Sequence, residues 1–161
     1  MSIDVEVDYP ALVKYESKDM TSSCPVEVET LINCCRKFDV VVHAGRSAIF
    51  RNYLSEKFST VYSFEPDLER FIKQMANGTR PNIYVMFALL GEQHGPVTYY
   101  DGLKTVTVPS FTVDDFALRH CDAIMVDDVS ALRGARGTLE RFEPVVMIGD
   151  RVLENARLLC R

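Results

Sequence analysis

The residues whose types and spacing suit them to chemistry are His43, Gly45, Glu65 and the pair Asp127-Asp128. An unperturbed imidazole titrates near neutrality, so His43 qualifies as a general base, although a packed loop histidine reads the same way. Gly45 is the only glycine before position 78 and stands in a short HAGRS turn. A turn that feeds a helix presents free backbone N–H groups and a partial positive charge. Glu65, just before Pro66, is a carboxylate suited to accepting hydrogen bonds from the two hydroxyls of a ribose, or else a solvated acid at a helix entry. Asp127-Asp128 follows a short apolar run and either acts on a substrate or caps the next helix.

The elements that must position these residues can be read from the segment FDVVVHAGRSAIFRNYLSEKFSTVYSFEP, residues 38–66. Residues 38–42 form an apolar, valine-rich run too short for a helix, which predicts a strand buried on both faces. Ile49, Phe50, Tyr53, Leu54 and Phe58 fall at helical spacing and make one stripe. Residues 61–64 predict a second strand, ending at Glu65. Strand, glycine turn, helix, strand and acid together form a nucleotide-binding βαβ unit. A dinucleotide site requires G-x-G-x-x-G so that a pyrophosphate can approach the backbone, and only Gly45 is present here. A ligand with a ribose and no pyrophosphate fits better, and S-adenosylmethionine is the common one. A buried strand and helix with no ligand would show the same pattern.

Composition narrows the function classes. The chain has 161 residues, 47% hydrophobic and 25% charged, as expected for one globular domain with a sizeable core. A net charge of -5 argues against a nucleic-acid surface, which is normally basic. No apolar run reaches membrane-span length, and MSIDVEVDYP lacks the form of a signal peptide. The five cysteines, 24, 34, 35, 121 and 160, are odd in number and show no C-x-x-C. They predict reduced thiols, a cytoplasmic location (host cytoplasm or virion for a viral chain) and no metal site.

In chain order, residues 1–24 are read as an N-terminal arm, 25–150 as the core and 151–161 as a C-terminal helix. Within the arm, residues 3–7 alternate as in a strand and 10–23 read as loop. Val28, Leu31, Ile32 and Cys35 predict a helix behind Pro25. Leu68, Phe71, Ile72 and Met75 predict another, stopped by Asn77-Gly78. A strand over 83–90 follows, then short strands at 97–100 and 105–110, a helical segment from Asp114 and a strand over 123–126. One helix is predicted through Leu132, Ala135, Leu139 and Phe142 despite Gly134 and Gly137. The last strand, VVMIG at 145–149, precedes a helix carrying Val152, Ala156 and Leu159. The alternation predicts an α/β fold: a mainly parallel sheet with helices on both faces.

FDVVVHAG, VYSFEPD, ALLGEQHGPVTYY, SFTVDDF and IMVDD followed by LRGARGTLERFEPVVMI occur in the order and spacing of the FkbM-type methyltransferases, which the chain resembles over about residues 36–149. The resemblance implies a Rossmann-like class I fold, S-adenosylmethionine as cofactor and a hydroxyl oxygen of a sugar or natural product as methyl acceptor. It implies that Asp39 and Gly45, with His43 between them, belong to the cofactor loop and that Glu65 holds the ribose. Ala88 and Leu89 would lie near the adenine and Asp127 near the methyl group. Set on the family pattern D-V-G-A-N-x-G, residues 39–45 put Val41 at the first glycine. The segment after the fourth long strand is shortened, and the C-terminal hairpin of strands six and seven is absent.

Two functions from different classes follow. One is methyl transfer to an oxygen or nitrogen of a small-molecule acceptor, with Asp127 and His43 as candidate catalytic groups. The other is a non-catalytic protein of the same fold serving as a binding or assembly module, as in a viral particle. Without a closing hairpin, strand 145–149 would be an apolar sheet edge, which predicts a homo-oligomer or larger assembly through it.

Overall fold

A computed structural model describes residues 24–45, 48–154 and 156. The N-terminal arm, apart from Cys24, and residues 157–161 of the C-terminal segment lie outside the described residues. The elements are α1 (Val26–Cys34), β1 (Val40–Ala44), α2 (Ala48–Lys57), β2 (Thr60–Phe64), α3 (Leu68–Ala76), β3 (Ile83–Met86), β4 (Leu89–Leu90), β5 (Gly95–Tyr100), β6 (Thr105–Phe111), a 3-10 turn (Val113–Phe116), β7 (Ala123–Val126), α4 (Val129–Arg133), α5 (Arg136–Phe142), β8 (Val145–Ile148) and β9 (Arg151–Leu153). The main sheet has the order β3-β2-β1-β7-β8-β9, parallel except for β9. A second sheet, β4-β6-β5, is built from the chain between β3 and β7.

Both faces of the main sheet are covered, and strand alternation divides the core in two. Val41, Val61, Ala123, Met125 and Met147 point to the side covered by α1 and α2, where they meet Val28, Leu31, Phe50, Leu54 and Phe58. Val42, Phe64, Ile124, Val126 and Val146 point the other way, onto Leu90, Val113, Leu132 and Leu139. The apolar runs read from the sequence are continuous for this reason: each central strand is buried on both sides.

Four expectations are corrected here. Residues 83–90 are not one strand: β3 stops at Met86, and after Phe87 and Ala88 the chain enters the second sheet, where Leu89 pairs with Ser110. The helix expected through 132–142 is broken into α4 and α5 at Gly134. There a Cβ would meet Thr112 at 2.9 Å and the Gly91 carbonyl carbon at 3.1 Å, so only glycine lets the two segments approach. Residues 151–153 are strand rather than helix. Gly149, at φ 60°, and Asp150 turn the chain back, and β9 pairs with β8 through Val146–Leu153, Met147–Val152 and Ile148–Arg151. The edge at 145–149, expected to be open to a second chain, is thus paired within the chain by one antiparallel strand, and the reason for expecting assembly there falls away. Among the described residues the stripe on α3 meets no core, although the sequence correctly placed the helix: Leu68, Ile72 and Met75 are 54%, 57% and 49% exposed.

The start of α5 is capped from a distance. Asp114 Oδ2 accepts from the Gly137 backbone N–H at 2.8 Å, while Oδ1 accepts from Thr138 N–H at 2.9 Å and Thr138 Oγ1 at 2.7 Å. One carboxylate therefore satisfies two amides that the helix leaves unpaired and ties the 3-10 turn to α5. Asp114→Ala is expected to cost about 2–3 kcal/mol, as the loss of several charge-assisted hydrogen bonds. Urea unfolding checks this, and a change below about 0.5 kcal/mol would show the cap to be inconsequential.

Candidate functional site

In an open parallel sheet, ligands bind at the carboxyl ends of the strands. Here β1, β2 and β7 end side by side at Ala44, Phe64 and Val126, and each is followed by a residue singled out from the sequence. Gly45 follows β1 at φ 77°, a left-handed conformation that a side chain strains. It also has no room for one: a Cβ there would lie 2.8 Å from Asp127 Cγ. Asp127, exposed after β7, is therefore packed against the β1 turn. Its neighbour Asp128 is spent on structure, since Oδ1 accepts from the Ser130 N–H at 3.0 Å and caps α4. The sequence left the roles of this pair open, and the structure gives Asp128 the cap.

Glu65 follows β2 and is held firmly. Its own N–H donates to the Met86 carbonyl at 2.9 Å, and its Oε1 accepts from the Asp67 N–H at 3.0 Å. Burial raises its pKa, with the Asp67 N–H and the Arg70 and Arg51 guanidinium groups pulling the other way. Ala88 and Leu89 come just beyond the end of β3. Ala88 is fully buried in the core and leaves no surface for a ligand, which corrects its expected place beside an adenine, while Leu89 is half-buried in the second sheet. That sheet reaches back to the site, where Tyr99 Oη donates to the Pro66 carbonyl at 3.4 Å.

Two sequence candidates are placed elsewhere. Asp39 precedes β1, at the amino end of the sheet, where its N–H and that of Val40 donate to Asp122 Oδ2 at 2.7 and 3.1 Å. Five residues of extended chain lie between it and Gly45, a span of roughly 20 Å, so it does not reach the Gly45 turn. The strand runs on to Ala44, which also makes Val41 a mid-strand core residue with no exposure rather than part of the turn. His43 is inside the sheet, 2% exposed, on the side covered by α2. Its Nδ1 is 3.0 Å from Ser63 Oγ, and its Nε2 has no partner. Burial, aided by the Arg51 charge, lowers its pKa to about 3. An imidazole so enclosed and so weakly basic has no access to an acceptor, and the base role is withdrawn.

Sequence reasoning missed Arg51. It is 5% exposed, its Nη1 donates to Gln74 Oε1 at 2.8 Å, and its Nε has no partner. Its charge acts on both His43 and Glu65. The signal was present: Arg51, Leu54, Ser55 and Phe58 follow an i, i+3, i+4, i+7 pattern, which places the guanidinium on the inward face.

Among the described residues no cluster of His, Cys, Asp or Glu is arranged to hold a metal ion. Cys24, Cys34, Cys35 and Cys121 are unpaired thiols, and burial pushes those of Cys35 and Cys121 up to about 12. No helix among the described residues is long and apolar enough to cross a membrane.

Comparison with family models and with curated proteins finds no match for the sequence. Comparison with solved structures finds a crystal structure of the methyltransferase FkbM from Methylobacillus flagellatus KT, with a TM-score of 0.50 and 21% identity. The match covers 76% of this chain but 35% of that one, so the chain spans about a third of the length of that protein. The fold is that of an FkbM-type methyltransferase: Rossmann-like, mixed α/β and mainly parallel.

Proposed function

We propose that the protein transfers a methyl group from S-adenosylmethionine to an oxygen or nitrogen of a small acceptor. The observation that carries this reading is the convergence of Gly45, Glu65 and Asp127 at the carboxyl ends of three adjacent strands, in the fold of a methyltransferase. The residues fit the cofactor. Glu65 is a clamped carboxylate at the tip of β2, placed to accept from both ribose hydroxyls. Gly45 places no side chain beside the strand end, and the half-buried Leu89 supplies apolar surface for the base. When bound, the cofactor supplies a methyl group activated by a sulfonium.

The chain supplies orientation. Methyl transfer depends on in-line geometry more than on a strong base, so positioning accounts for much of the rate. Asp127, exposed beside Gly45, is the carboxylate to which we assign the acceptor's proton as the new bond forms. Arg51 holds a positive charge behind Glu65 and favours its ionised, ribose-binding form.

Calorimetric titration with S-adenosylmethionine and S-adenosylhomocysteine tests the reading. Saturable binding is expected, and Glu65→Ala should weaken it by about 1.5–3 kcal/mol, the range for hydrogen bonds to a charged group. A folded wild-type protein that shows no saturation at millimolar cofactor overturns the proposal. Binding that Glu65→Ala leaves intact overturns the ribose assignment alone.

A further inference from the structure

At the opposite pole of the main sheet, where β1, β7 and β8 begin, lies an open cleft of about 510 Å³ with four basic residues in its lining. Arg36 and Lys37 reach it from the link between α1 and β1, His120 from the segment before β7, and Arg141 from the last turn of α5. Three separate stretches of chain thus bring cations to one concavity in a protein of net charge -5. Among the described residues the salt bridges use Arg80, His94, Arg133 and Arg136, and none involves these four.

The cleft also contains two carboxylates, Asp122 and Glu143. Asp122 Oδ2 is occupied by the backbone N–H groups of Asp39 and Val40, which tie down the start of β1. Three permanent cations therefore face two acids, and one oxygen of Asp122 is committed to the backbone. Converging like charges repel, and an anion seated among them relieves that repulsion. Arg141 is held for such a role: its guanidinium carbon lies 5.0 Å from the centroid of the Phe142 ring. The same ring, with Pro144 and Val145, gives the cleft one apolar wall.

We propose that this cleft is a binding site for a small phosphate monoester, with Arg36, Lys37 and Arg141 taking the phosphate and Phe142, Pro144 and Val145 taking an apolar or planar body. A phosphate dianion offers several acceptor oxygens to guanidinium and ammonium donors, and a carboxylate offers fewer and half the charge. The site is at the far end of the sheet from Gly45 and Glu65 and does not depend on the methyltransferase reading.

Amide-shift titrations with inorganic phosphate and with phenyl phosphate, read at residues 36–37, 120–122 and 141–145, provide the test. Saturable shifts with both probes are expected, with phenyl phosphate binding several-fold more tightly. Lys37→Gln and Arg141→Gln should each weaken both probes about five- to tenfold, the loss of one charge-assisted contact. Phe142→Ala should abolish only the advantage of phenyl phosphate. Lys37 and Arg141 are exposed, so their variants are expected to fold, which an unchanged melting profile verifies. No saturation at millimolar probe in the wild type overturns the proposal, as does equal affinity in the Lys37→Gln/Arg141→Gln double variant. Titration with S-adenosylhomocysteine should leave these shifts unmoved, so failure at one pole is distinguishable from failure at the other.

Discussion

Acidification from pH 6.5 to about 3 is expected to remove up to about 5 kcal/mol of folding stability through the buried imidazole of His43. Desolvation is the main cause and the nearby Arg51 charge the second, and both disfavour the protonated ring in the folded state. The folded pKa therefore lies below the unfolded one. As pH falls through 6.5 the unfolded chain takes up a proton that the folded chain refuses. The stabilisation is complete above 6.5, declines as pH falls and reaches its floor near 3. Glu65 acts in the opposite sense: its raised folded pKa makes the folded state gain as pH falls through that value towards 4.5, which offsets part of the loss. His43→Gln removes the titration and keeps a polar partner for Ser63 Oγ. Urea unfolding midpoints across this pH range should flatten in the variant, and an acid limb as steep as wild type would exonerate His43.

Val41→Gly is expected to cost about 3–4 kcal/mol, combining a buried cavity with the strand penalty of glycine. Val41 has no exposure, pairs with Val61 on one side and Ala123 on the other, and packs in the core beneath α1 and α2. Aligning the segment on D-V-G-A-N-x-G implied instead that a glycine here would relieve crowding around a cofactor. The two accounts differ in sign and are separated by one chemical denaturation curve. Near-wild-type stability, with tighter binding of S-adenosylhomocysteine, would return Val41 to the turn.

Much of the candidate site was legible because each of its members follows a buried strand, and buried strands announce themselves by apolar runs. Gly45, Glu65 and Asp127 were found in that way. What was not legible was register. VVV at 40–42 looks alike at every offset, so the sequence alone did not show that β1 extends to Ala44 and leaves Asp39 at the wrong end. Phe87 and Ala88 hid the break between β3 and β4 because both are apolar. The periodicity of α3 correctly predicted an amphipathic helix but carried no information about what its apolar side meets. At the C-terminal end the helical spacing of Val152, Ala156 and Leu159 was allowed to outweigh Gly149-Asp150 between two apolar runs, which is itself a hairpin signal.

The hairpin has a kinetic consequence. Among the described residues β9 holds its place through three pairs to a single neighbour, whereas β8 is flanked by β7 along its whole length. Short peripheral pairings open in sub-global fluctuations well below the free energy of complete unfolding. Each opening presents Val145, Val146, Met147 and Ile148 as an unpaired, uncharged template. The storage lifetime of concentrated solutions is then governed by how often β9 lifts rather than by the depth of the native well. Substitutions that deepen the core would raise the melting temperature without prolonging that lifetime, while reinforcing the turn at Gly149-Asp150 would prolong it without raising the melting temperature appreciably.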